Sequence, residues 1–132
     1  MIYEMTVQIR VSDFEKGRSW YQTLLKRVPD FVPHEGFAEW ELIPGCWLQV
    51  ADGEPAAKSG PLRLGVTNLD RERERMIKEL GVEPFEIYER EEVPVRWGTI
   101  ADPWGNQIGL FQYKDPHEMG ERINAILGIE AQ

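Results

Sequence analysis

Three pairs of residues separated by a single position, Gln8 and Arg10, Trp47 and Gln49, and Trp97 and Thr99, alternate with apolar residues or glycine. In extended chain such alternation sends each pair to the face opposite the apolar one. Thr6, Arg63 and Gly65 follow the same rule, as do Gln107, Gly109 and Phe111 around Ile108 and Leu110. If Pro44 and Gly45 close a two-residue hairpin, Trp40 falls opposite Gln49 and joins the set. Flat apolar walls with a few placed polar groups are the makeup of small-molecule sites, and guanidinium forks fit carboxylate or phosphate. The pattern therefore predicts a planar, anionic organic ligand held by Gln8, Arg10, Trp40, Trp47, Gln49, Arg63, Trp97, Thr99 and Phe111.

The same residues have plainer uses. Arg10 and Arg63 can pair with the chain's surplus acids, and tryptophans can fill a core or a subunit interface, which favours both residue types. Glu39 and Glu41 supply a general base only if the hairpin register differs from the one above; otherwise they form a solvated edge pair. Cys46 has no histidine within expected reach and reads as an inert thiol, and the run Arg71 to Arg75 reads as a solvated helix face.

At 132 residues and 42% apolar composition the chain suits one compact domain with a real core. Twenty-three acidic against fifteen basic residues give a net charge of -8, a field that repels nucleic acid and anionic lipid surfaces. A local pair of arginines can still hold a small anion. The single cysteine excludes an internal disulfide, and no apolar run reaches the ~20 residues needed to span a bilayer or has the layout of a signal peptide, so a cytoplasmic location is expected.

The elements that position these residues form a repeat. Met5, Val7, Ile9 and Val11 make one face of a strand that runs into a helix over about 13–27, with Ser12 as cap, Glu15 completing a capping box, and a stripe of Phe14, Tyr21, Leu24, Leu25 and Val28. Fifty-five residues later Leu62, Leu64 and Val66 alternate, Thr67 takes the place of Ser12, and Leu69, Met76, Ile77 and Leu80 form the stripe before Gly81. Residues 51–60 are small and turn-rich and read as a linker. Strand signals at FVPH, FAEWEL and CWLQV follow the first helix, and FEIYE, VPVRWGTIA and QIGLFQY follow the second. DPWG, residues 102–105, suits a type I turn, with Asp102 bonding its own backbone and Gly105 taking the positive angle. The chain is thus α+β, a single domain of two βαβββ modules, 1–52 and 60–113. A C-terminal helix in 114–132 follows, capped by Asp115, with Met119, Ile123, Ile126 and Leu127 on one face.

Two such modules, a VSDFEKGRSWYQTLL segment and the ADPWGNQIGLF stretch together resemble the vicinal oxygen chelate superfamily, which includes glyoxalase I, extradiol dioxygenases, and fosfomycin- and bleomycin-resistance proteins. The resemblance runs to about residue 113. It implies that each module curls into a half-barrel and that paired half-barrels enclose a cavity, within the chain or across a homodimer. In metal-dependent relatives a divalent ion sits there on carboxylate, histidine or glutamine ligands. Matching motifs puts Thr6, Gln49, Pro61 and Gly109 at the four ligand positions, and only Gln49 can touch a metal. A register shift of one or two residues brings Gln8 or Glu4 into play, and Gln8 with Gln49 makes a weak neutral pair. Neither His34, beside a turn, nor His117, at a helix start, shares the inward face. A divalent ion needs about three or four mostly anionic or imidazole ligands. The expected protein is therefore a binder of a small planar molecule, without metal or other cofactor. The alternatives are a metal-dependent lyase or dioxygenase of the same superfamily, and an interaction subunit with no ligand. Gly109 is expected to leave space for the ligand where relatives place a metal-binding glutamate.

Overall fold

The computed structural model describes residue 1, residues 4–56 and residues 61–128. Positions 57–60 of the expected linker and the last four residues of the chain lie outside the described residues. By internal contacts the chain forms two units, Met1–Gly60 with Ala101–Asn106, and Pro61–Ile100 with Gln107–Gln132. Among the described residues no helix is long and apolar enough to cross a membrane.

In the first unit β1 (Met5–Val11), α1 (Phe14–Leu25), β2 (Phe31–His34), β3 (Phe37–Ile43) and β4 (Cys46–Asp52) build a four-stranded sheet in the order β1-β4-β3-β2. β1 runs parallel to β4, and the other pairs are antiparallel. The alternation in the sequence sorts the two faces. Ile9, Val11, Ala38, Trp40, Leu48 and Val50 are buried on one side with Phe14, Tyr21 and Leu24 of α1, a burial that contributes roughly 1.5–3 kcal/mol for each large apolar side chain. Val28 lies beyond the end of α1 and is exposed, so the stripe stops at the helix.

The second unit contains β5 (Leu62–Gly65), α2 (Leu69–Leu80), β7 (Gln107–Tyr113), α3 (Pro116–Leu127) and most of β6 (Val95–Ala101), with strand order β5-β7-β6. FEIYE is less regular than a strand and closes one bridge, Tyr88 to Trp97. Asp115 caps α3 through His117 N, as expected, but no described residue of α3 is buried. Its apolar stripe is therefore open to solvent at Ile123, Ile126 and Leu127.

The helices carry the repeat more sharply than the sequence does. α1 and α2 are both twelve residues long and start and stop 55 positions apart. Their N-caps are Asp13 and Asn68, not Ser12 and Thr67; each side-chain oxygen accepts the backbone N–H three residues on. Both helices end in a left-handed C-cap, Lys26 and Gly81.

The β3–β4 hairpin departs from the expected two-residue geometry. Ile43 does pair with Cys46, but the next pair is Glu41 with Trp47, so one extra residue bulges out of β3. That single insertion inverts the parity of β3. Trp40 pairs with Leu48 and is fully buried on the helix side, its indole N–H donating to Arg27 O at 2.9 Å. Glu39 takes the position opposite Gln49.

Candidate functional site

The face of the first sheet away from α1 is built in rows. Gln8, Gln49, Glu39 and Phe31 lie side by side across β1, β4, β3 and β2. Gln8 Nε2 donates to Gln49 Oε1 at 3.3 Å, and Gln49 Nε2 donates to Glu39 Oε1 at 2.8 Å. One amide chain thus fixes the carboxylate of Glu39. The neighbouring row is Thr6, Trp47 and Glu41, and the Trp47 ring stacks on Phe31 with centroids 5.9 Å apart and planes 30° off. The indole N–H of Trp47 is buried with no partner among the described residues. Arg10 stands beyond Gln8 on the same face and lies over Gly53, with no ion pair among the described residues.

The bulge is held by residues just before β2 and in its linker. Asp30 N donates to Glu39 O at 2.8 Å, Asp30 Oδ2 accepts from Glu41 N at 2.7 Å, and the Arg27 guanidinium bonds both Asp30 and Glu41 O. The bond from Glu41 N, with Arg27 beside it, holds the Asp30 carboxyl below the usual aspartate range.

On the second sheet the register sets Arg63 opposite Gly109 and Gly65 opposite Phe111. The Arg63 guanidinium carbon is 6.0 Å from the centre of the Phe111 ring, and that ring leans over Gly65, where a β-carbon would meet it at 3.1 Å. Trp97 on β6 lies against Tyr88, centroids 5.9 Å apart, with Thr99 two positions on and exposed. Arg63 is exposed and makes no ion pair among the described residues.

The turn between β6 and β7 belongs to the first unit. Asp102 and Asn106 are buried there. Asp102 Oδ1 accepts from Trp104 N and Asn106 N, each at 2.9 Å, and Oδ2 accepts from Asn106 Nδ2 at 2.8 Å and Tyr21 Oη at 2.7 Å. Asn106 Nδ2 also donates to Arg10 O at 3.0 Å, and Gly105 takes the positive φ that the turn requires. Burial, then the Asp102 bond and charge, push the Tyr21 hydroxyl far above the usual phenol range.

The structure therefore brings Gln8, Arg10, Trp47 and Gln49 to one face of the first sheet, and Arg63, Trp97, Thr99 and Phe111 to the corresponding part of the second. Trp40 is removed to the core. Glu39, which the sequence offered only if the hairpin register differed, is brought in by the bulge, and Phe31 and Tyr88 are added. The β1 residue opposite Gln49 is Gln8, with Thr6 opposite Trp47, and the β5 residue opposite Gly109 is Arg63. His34 bonds Glu35 O, and His117 lies 3.1 Å from Glu121 on α3. Among the described residues no three His, Cys, Asp or Glu side chains converge. An open depression of about 440 Å³ runs along α3, lined by Asp115, His117, Glu118, Glu121, Arg122 and Ala125, all outside the two sheets.

No family model and no curated protein matches the sequence. Solved structures do. A glyoxalase/bleomycin resistance protein from Catenulispora acidiphila is 31% identical, with 83% of this chain and 96% of that one covered at a TM-score of 0.68. A glyoxalase-related enzyme from Clostridium phytofermentans is 16% identical, with coverage of 86% and 96% and a TM-score of 0.67. The genomically encoded fosfomycin resistance protein of Listeria monocytogenes is 18% identical, with coverage of 86% and 94% and a TM-score of 0.60.

Proposed function

Because this chain belongs to the glyoxalase/bleomycin resistance family of the vicinal oxygen chelate superfamily, we propose that it is a metal-free binding protein for a small planar, anionic organic molecule. The observation that carries the reading is the state of Arg63. In a chain with eight surplus negative charges, this exposed guanidinium has no described carboxylate partner and lies instead against Phe111, beside Gly109. A guanidinium paired with an aromatic wall suits a carboxylate on a flat skeleton. In this reading Trp97 and Thr99 are the further binding groups of the second unit, and Gln8, Arg10, Trp47 and Gln49 are those that the first unit offers by itself.

The ion used by metal-dependent relatives does not fit these residues. On the first sheet Glu39 and two amides are already bonded in series and Glu41 accepts from Gly45 N, and the second sheet sets a guanidinium opposite a glycine. A divalent ion needs about three or four protein ligands, mostly anionic or imidazole. The donor set is better suited to hydrogen bonding an organic molecule.

Thermal shift with naphthalene-2-carboxylate tests the reading. A rise in Tm that is lost in both Arg63→Ala and Trp97→Ala is expected, and unchanged affinity in both variants would overturn it. Stoichiometric nickel, zinc, iron or manganese in gently purified protein, lost on Gln49→Ala, would favour the lyase or dioxygenase alternative instead. The reading includes a homodimer, which sedimentation equilibrium checks.

A further inference from the structure

The geometry points to Glu39 as a recognition residue for a cationic hydrogen-bond donor, such as an amidinium, on a planar ligand. The inference rests on the small-molecule reading above and extends it to a chemical group that Arg63 cannot select. Glu39 projects from the middle of an open sheet face, is half-buried, and has no cation within ion-pair distance among the described residues. Asp30, Asp70 and Glu72, by contrast, are taken up by Arg27, Arg96 and Arg75.

Glu39 is also not free to turn away. Gln49 Nε2 donates to its Oε1 at 2.8 Å, Gln8 fixes that amide from behind, and the backbone of Glu39 is tied through its carbonyl to Asp30 N. One carboxylate oxygen is thus occupied by the protein and the other is left for a partner, since an ionised carboxylate has about four acceptor positions. The residue next to it on β2 is Phe31, whose ring stacks on Trp47. A fixed acceptor beside a stacked aromatic pair matches a flat molecule with a donor group on its edge, and the net charge of -8 favours a cation over a neutral donor. This chemistry was hidden in the sequence because the bulge, which no local residue signals, decides whether β3 presents Glu39 or Trp40 to this face.

Isothermal titration with naphthalene-2-carboxamidine and naphthalene-2-carboxylate, on the full chain and on Glu39→Gln, Glu41→Gln and Arg63→Ala, tests the assignment. Glu39→Gln can keep the oxygen that Gln49 bonds while replacing the open oxygen by an amide NH2, which removes both the charge and the acceptor. The expected result is amidine binding weakened at least tenfold by E39Q, less than about threefold by E41Q, and unaffected by R63A. Equal losses in E39Q and E41Q would mean diffuse attraction to an acidic surface and would overturn the inference, as would unchanged affinity in E39Q. Carboxylate binding without amidine binding would overturn it and leave the Arg63 reading standing; amidine binding without carboxylate binding would do the reverse.

Discussion

Arg63 stands opposite Gly109 across β5 and β7, and its Cγ lies 3.3 Å from where a β-carbon on residue 109 would be. The space left by the missing side chain is therefore not simply open to a ligand, as the sequence alone suggests; the stem of Arg63 already lies along it. Replacing Gly109 by Glu would restore the carboxylate that metal-dependent relatives carry, but would set it against a guanidinium. The expected outcome is an ion pair with Arg63, a stability change of no more than about 1–2 kcal/mol because the nearest atom belongs to a flexible side chain, and no gain in bound metal. Urea denaturation and elemental analysis of G109E check both parts.

The bond from Tyr21 to Asp102, two buried residues of the first unit, links the middle of α1 to the DPWG turn. Tyr21→Phe removes a donor from a buried carboxyl group and should cost about 1–3 kcal/mol in urea denaturation. The alkaline limb gives a second reading. Burial, with Asp102, holds the phenol in its neutral form in the folded protein, whereas the unfolded chain ionises it near pH ~10. The folded state then binds the extra proton, so stability is intact below that pH and falls as pH rises above it, by about 1.4 kcal/mol per pH unit. Y21F should lack this component, seen as a shallower loss than the parent above about pH 10.

How far the sequence could be read depended on whether each feature is written locally. The repeat offset is carried by residues that repeat in kind, Ile9 with Leu64 and Phe14 with Leu69, and the helices reproduce it to the residue. The DPWG turn is legible because Asp, Pro and Gly each have a distinct backbone role. The caps slipped by one position because Ser12 and Asp13, or Thr67 and Asn68, are adjacent residues that can each cap a helix. The site suffered most at β3, where a one-residue bulge turns every side chain before it to the other face.

The shared C-cap geometry of α1 and α2 yields an independent prediction. Lys26 holds φ at 61°, a left-handed conformation in which its β-carbon crowds the backbone, while Gly81 occupies the matching position of α2 without that cost. Lys26→Gly relieves roughly 1 kcal/mol of strain but also loosens the unfolded chain, which offsets part of the gain. A net stabilisation of no more than about 0.5 kcal/mol is expected, with affinity for any ligand unchanged, and thermal and urea unfolding of K26G measure it.

The register of β3 can be tested without any ligand, because it assigns opposite roles to two tryptophans. Trp40 is fully buried against α1 and bonded to Arg27 O, whereas Trp47 faces the other way, stacked on the exposed Phe31. Trp40→Ala should leave a large core cavity and an unpaired carbonyl, a loss of about 3–5 kcal/mol that leaves a domain of this size near the edge of folding. Trp47→Ala should cost distinctly less, since part of its ring is already in contact with solvent and its buried N–H has no described partner to lose. Should urea denaturation return the reverse order, the bulge between Glu41 and Ile43 would be wrong, and Glu39 would lose its place beside Gln49. Trp40→Phe keeps most of the volume and should fall between the two, so the comparison holds even where the alanine variant does not fold.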